Sequence, residues 1–254
     1  MKYAIVTLFS FFLAITASAK CANSGISLLS SQTLNRNGLI ILEFFGVSQE
    51  VVPQLNKKYP IYLELGGKKV SLTVAEILTG EMLLTQVVLK PSEQLDAGKT
   101  YRLQIQHLPK EQQRLGNYND ELKKWDDVTF TVNNSVDIIA PVFSGTPVEK
   151  KKTMDVFGCG PARWVYFSMD AQDQSELFVR ANVKNTITGK TTSYILAIET
   201  GIAKIGHGMC SGAFAFNSDD KLEVSFQLFD QSGNKGVLSD AVAFTRPVLG
   251  VGRS

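Results

Sequence analysis

Histidine and cysteine are scarce in this chain of 254 residues, with two of the first and three of the second. A surplus of either charge is missing too: 26 Lys and Arg stand against 24 Asp and Glu, a formal +2. Near neutrality removes the electrostatic case for nucleic acid or an anionic membrane as partner. Phosphate-cradling glycine signatures are absent, as is the G-x-S-x-G elbow of esterases, so the sequence implies no cofactor and no catalytic residue. After residue 20 no apolar stretch is long enough to span a bilayer. Helical periodicity is almost absent as well. Only VSQEVVPQL (47 to 55) has helical spacing, and Pro53 limits it to a turn or two.

What the chain does contain begins with MKYAIVTLFSFFLAITASAK. Lys2, an uncharged apolar run and the small-x-small ending Ala17-Ser18-Ala19 predict a secretory signal peptide, residues 1 to 19, cut after Ala19. Lys20 stands where lipid attachment at Cys21 wants a small residue, so the expected product is exported, without a transmembrane or lipid anchor, to the periplasm or the cell surface. Period-two alternation then dominates. Ile61, Leu63 and Leu65 alternate with polar neighbours, Gly66-Gly67 intervenes, and Val70, Leu72 and Val74 resume: a hairpin. Tyr101, Leu103 and Ile105 form another such face, and Leu222, Val224, Phe226 and Leu228 the clearest one. VNNSVDIIAP (132 to 141) has linker composition. The expectation is an all-β chain of two tandem immunoglobulin-like β-sandwich domains, 20–136 and 137–248, with a short tail at 249–254.

LKPSEQLDAGKTYRLQI (89 to 105), followed by WDDVTFTV (125 to 132), resembles the L-x-P…L-x-x-G-x-x-Y-x-L-x-I…F-x-V pattern of bacterial immunoglobulin-like domains, including those of surface-layer and copper-resistance proteins. IIAPVFSGTPV (138 to 148) and LFDQSGNKG (228 to 236) are similar to the A-P-x…D-x-S-G-N frame of bacterial immunoglobulin-like or fibronectin type III-like repeats. The resemblance implies sandwiches displayed outside the cytoplasm, with Tyr101 at a strand corner and Asp230 to Asn234 in a turn. It carries over no catalytic residue. Copper-binding members use an N-terminal histidine with further histidines or methionines, whereas Lys20-Cys21 stands at the expected mature start.

Two glycine-flanked motifs hold chemistry-bearing residues: GHGMCSG (206 to 212) and FGCGPARW (157 to 164). In an oxidising compartment a disulfide between Cys159 and Cys210 is the simplest reading, stabilising by about 4 kcal/mol on the chain-entropy estimate. The alternative is a metal site from Cys159, His207 and Cys210, or a Cys–His nucleophile; zinc asks for four protein ligands, or three and a water. Cys21 stays open between a free thiol, an intermolecular bridge and a bond to Cys159 or Cys210. The DQSGNKG stretch reads as a turn, because Lys235 and Ala241 stand where a calcium loop needs Gly and Glu. Candidate binding residues are Gly206, His207, Gly208 and Met209 with Trp164 nearby, and Tyr118 and Trp125 on the polar run 110 to 127. The functional expectation is a secreted or periplasmic, non-catalytic binding or structural module of the bacterial envelope, its partner an envelope protein or glycan. A metal-dependent or thiol enzyme centred on His207 and Cys210, and an accessory subunit of a larger envelope assembly, are the alternatives.

Overall fold

A computed structural model describes residues 21, 24–109, 112, 115–116, 118–121 and 123–249. The expected leader, 1–19, and most of the expected tail lie outside the described residues. Among those described, no helix is long and apolar enough to cross a membrane; the main helical element is a 3-10 stretch at Gly46–Gln54 that runs through Pro53, about three turns where one or two were expected. Nearly all other regular structure among the described residues is strand, as an all-β chain requires.

In the first half the strands are β1 (Gly25–Leu28), β2 (Thr33–Leu34), β3 (Ile40–Phe45), β4 (Ile61–Leu65), β5 (Lys68–Thr79), β6 (Leu84–Pro91), β7 (Thr100–Ile105), β8 (Tyr118–Asn119), β9 (Lys124–Trp125) and β10 (Thr129–Val132). Their order is β1-β3-β6-β5-β4-β7-β10-β2, with β8 and β9 a separate hairpin. Strand β5 makes the turn between two layers: Lys68 to Ser71 pair with β4, Leu72 to Thr79 pair with β6, and the register slips at Val74/Glu76. Such an irregularity bends a strand, which lets one chain segment serve both sheets. Between the layers Ile40, Leu42, Phe44, Leu63, Tyr101 and Phe130 are all but inaccessible. Tyr101 spans that core and ends at a corner, where its hydroxyl accepts from Asp96 N (3.1 Å) and donates to Asp96 Oδ2 (3.2 Å).

The second half comprises β11 (Val142–Phe143), β12 (Val148–Phe157), β13 (Gly160–Ser168), β14 (Ala171–Gln172), β15 (Leu177–Asn185), β16 (Thr191–Ala197), β17 (Ile202–His207), β18 (Leu222–Asp230), β19 (Lys235–Leu238) and β20 (Val242–Phe244). One sheet runs β12-β13-β17 and another β16-β15-β18-β19, with β20 also on β18, while β11 and β14 form a separate pair. Leu222, Val224, Phe226 and Leu228 point inward together, as their alternation requires. Phe226 meets Phe167 of the facing sheet at 5.1 Å between ring centres, and Phe244 closes on Phe167 edge-on at 5.7 Å. Strand β12 is an edge, and two of its three lysines have partners among the described residues: Lys151 lies over the Tyr166 ring and Lys152 pairs with Glu149. Past β18, Asn234 N donates to Asp230 Oδ1 and Gly233 takes a φ of 92°, the turn its sequence foretells.

The halves are packed together along a broad face. Strand β3 has both faces covered: Ile40, Leu42 and Phe44 enter the first core, while Ile41, with Leu39, belongs to the second. Arg180 donates to both oxygens of Glu76 (2.7 and 2.5 Å), and Asn37 and Asp137 exchange hydrogen bonds where the chain passes between halves.

Candidate functional site

The cleft between the halves grows from the pleat of β3 and β6. Their register sets Ile41, Glu43 and Phe45 opposite Val88, Gln86 and Leu84, all on the face turned from the first core. Against that face lie Tyr194 and Leu196 of β16, Trp164 of β13, and Lys204 and Gly206 of β17. Near Phe45 and Leu84 the contact opens into a cleft of about 390 Å³, whose lining includes Ser27, Glu43, Trp164, Tyr194, Lys204, Gly208 and Ser211. Burial pushes the Glu43 carboxyl above the usual carboxylate range, against the lowering influence of Tyr194 and Gln86. Tyr194 is raised in turn by burial and by the Glu43 charge. The buried Tyr194 hydroxyl faces Glu43 without completing a hydrogen bond of good geometry. The cleft thus offers an aromatic wall and a desolvated acid, while the lining Lys204 pairs its ammonium with Glu199 at 2.6 Å.

The glycines of GHGMCSG have a packing reason. Gly206 has φ +143°, and a Cβ there would lie 1.9 Å from Arg163 O on the neighbouring strand; one at Gly212 would lie 2.2 Å from His207 Cβ. With no side chain, Gly212 can also pair across the halves: its N donates to Met82 O (2.9 Å) and its O accepts from Met82 N (3.1 Å). Beside this bridge the Glu81 carboxylate accepts from Lys190 Nζ, Thr192 Oγ1 and Ala215 N at 2.6 to 2.8 Å. Burial acts to raise Glu81, but these donors outweigh it and hold the acid below its ordinary range. The loop is thus a docking seat for the β5–β6 turn as well as a rim of the cleft.

The cysteines depart from expectation. Cys210 is bonded to Cys21, not to Cys159, with a Cα separation of 5.5 Å, and Cys159 is a thiol. The cause is tertiary: β1 pairs with β3 so that Gly25 faces Phe45, and Phe45 shares the cleft with Gly208 and Ser211, which brings the segment ahead of β1 to Cys210. All three sulfurs lie within 4.8 Å of one another. The considered metal set of Cys159, His207 and Cys210 is not assembled as such, because His207 is outside that trio. Its ring is buried, lies 6.0 Å from Phe216, and has Nδ1 2.8 Å from Gly208 O. A Cys–His nucleophile at Cys210 is likewise not formed while that sulfur is in a disulfide.

Of the other candidates, Trp164, Gly206 and Gly208 meet in the cleft, whereas Met209 is exposed on the outer side of its loop. Trp125 sits elsewhere, with His107 and Leu108 around a hollow beside the β8–β9 hairpin. The side chain of Tyr118 lies outside the described residues. His107, which by alternation extends a strand, is in a left-handed turn past the end of β7, with φ 62°. Residues missed in the sequence are Glu43 and Gln86. Their signal is a polar interruption of apolar runs: Glu43 in LIILEFF, and Gln86, next to Thr85, in LLTQVVL. A second close group is acidic: Asp137, Asp173 and Asp230 bring carboxylate oxygens within 4.8 Å. Burial raises Asp230, opposed by the Asn234 hydrogen bonds, with the two neighbouring charges adding to the rise.

No family model matches the chain, and no curated protein matches it in sequence. Among solved structures, a pullulanase from Anoxybacillus sp. LM18-11 complexed with maltotriose aligns at 10% identity over 86% of this chain, with a TM-score of 0.23. The chain spans 28% of that enzyme's length. The human OSCAR ligand-binding domain aligns at 11% identity over 89% of this chain and 100% of its own, TM-score 0.22. Tandem Ig repeats of Dlar align at 11% over 88% and 94%, also at 0.22. Similarity at this level establishes neither a shared fold nor a shared function.

Proposed function

We propose that the protein is an exported, non-catalytic binding or structural module of the bacterial envelope, made of two immunoglobulin-like sandwiches, 20–136 and 137–248, that grips an envelope protein or glycan in the cleft between them. Strand order supports the sandwich reading. In the first half β1, β3, β6 and the end of β5 run as strands A, B, E and D of an immunoglobulin domain, and β4, β7 and β10 as C, F and G. In the second, β15, β18 and β19 run as C, F and G. Tyr101, bonded back to Asp96 at the start of β7, has the place of a tyrosine corner. Export is supported by the leader-like start and by the use of a disulfide.

The observation that carries the binding reading is the cleft itself, lined by Trp164, Lys204 and the desolvated Glu43 from three strands of the two packed halves. A rigid frame with a partly exposed aromatic is the kind of place where binding energy concentrates. The test is retention of the purified chain on isolated peptidoglycan and on envelope-protein fractions. Trp164→Ala is expected to cut retention on one of them by about tenfold or more, as loss of an aromatic anchor does. Equal retention of wild type and variant on both rejects the cleft as the site.

A further inference from the structure

We propose that Cys21, Cys159 and Cys210 form a thiol–disulfide exchange site, in which one disulfide moves among three sulfurs and frees Cys21 at the start of the first half. This goes beyond the binding reading and does not rest on it. The chain has three cysteines in all, and they come from segments far apart in sequence: ahead of β1, in the β12–β13 turn, and in the loop after β17. Yet their Sγ atoms converge within 4.8 Å, two as a disulfide and one as a thiol. Each of the three residues is partly exposed, so neither the attacking nor the leaving sulfur is sealed in a core.

Exchange of this kind proceeds by attack of a thiolate on a disulfide sulfur. Here the Cys159 thiolate attacks Cys210 Sγ. A bond forms between those two sulfurs, the Cys21–Cys210 bond breaks, and the electron pair leaves on Cys21 Sγ, which takes a proton from water. One disulfide and one thiol exist before and after, so no oxidant or reductant is consumed. Local structure favours the approach. Cys159 stands between Gly158 and Gly160 at the tip of a hairpin, and a Cβ at Gly158 would meet no atom within 4 Å. Little packing holds the turn against a short movement toward Cys210.

The two pairings differ in what they tie together. Cys21–Cys210 staples the chain ahead of β1 to the second half, across 189 residues. Cys159–Cys210 lies wholly within the second half, joining the β12–β13 turn to the loop after β17, and leaves β1 without a covalent tie, held by its ladder with β3, the Ile26–Leu115 bridge and the burial of Ile26 in the first core. Exchange therefore converts a staple between halves into a staple within one, with a thiol ahead of β1 as product.

The experiment uses the full chain produced in an oxidising compartment, incubated at neutral pH, alkylated with iodoacetamide, and mapped as unreduced peptides. Wild type is expected to carry label on Cys21 as well as Cys159, with Cys159–Cys210 peptides in matching amount. Cys159→Ser is expected to lose all label and hold Cys21–Cys210 alone. Cys21→Ser is expected to pair Cys159 with Cys210, and Cys210→Ser to pair Cys21 with Cys159. The proposal is overturned if wild type is labelled at Cys159 only, however long the incubation. It is equally overturned if Cys21→Ser keeps the wild-type circular dichroism but leaves Cys159 and Cys210 both labelled, or if elemental analysis finds three reduced cysteines holding a soft metal ion.

Discussion

Glu43 shows how much a single residue's setting depends on what covers it. On its own strand it is the polar member of LIILEFF; under β16 it becomes a desolvated acid beside Tyr194. Its folded pKa is raised, so the folded state binds the proton more tightly than the unfolded one. The associated stability is complete below the ordinary glutamate range and is lost as pH rises through the folded value. Glu43→Gln should therefore be the more stable protein at neutral pH, and the difference should vanish in acid. Urea titrations of both proteins from pH 3 to pH 8 measure it; a constant gap across that window would contradict the desolvation account. His207 makes the complementary point. A histidine three residues from a cysteine invites a metal reading, but close packing of Gly206 and Gly212 turns the ring toward Phe216 instead.

At the scale of elements, two devices hold the sheets in place. The first is the contact of β17 with β13, which depends on a missing side chain at Gly206. Gly206→Ala forces a Cβ onto Arg163 O and should cost about 3 kcal/mol, the upper end of overpacking penalties, whereas Gly158→Ala, with nothing nearby, should stay within about 0.5 kcal/mol. Equal denaturation midpoints for the pair would refute the steric explanation. The second device seals an open edge. Strand β16 ends its sheet, and the outward N–H and C=O of Ile195 are met by the buried Gln86 side chain, at 3.2 and 2.9 Å. Gln86→Leu leaves both groups buried and unpaired, so a loss of about 3 kcal/mol is expected. Chemical denaturation checks it, and a loss below about 0.5 kcal/mol would mean that water replaces the amide. Elements themselves were legible beforehand, since Leu222 to Leu228 and Tyr101 to Ile105 alternate without interruption. The place of the 46–54 helix was legible from its valine spacing, but its length was not, because the 3-10 helix continues through Pro53. His107 was not, because alternation continues past the point where the backbone enters a left-handed turn.

Over the whole molecule, the halves meet through apolar contact of Leu39, Ile41, Leu78 and Val88 with the second core, framed by Glu76–Arg180, Glu81 and Gln86. The Arg180 guanidinium holds the Glu76 carboxyl below its usual range, against the opposing effect of burial, so this contact is present above the ordinary glutamate pKa and is lost on acidification. That interface is what turns two stacks of strands into a cleft. It also explains why the site was only partly readable: Trp164 and the 206 to 212 loop stand out locally, while their partners Glu43, Phe45 and Leu84 lie far earlier in the chain.

Alternating apolarity alone determined that the chain would be strands with one buried face, and glycine, proline and Asp-x-Ser-Gly-Asn determined where it turns. Those are properties of neighbours in the chain, fixed by backbone sterics and a two-residue period. Which sulfur joins Cys210, why His207 is buried, and which face of β3 is covered were decided only when the halves docked. Each depends on distances between segments far apart in the chain, and such distances are set by packing.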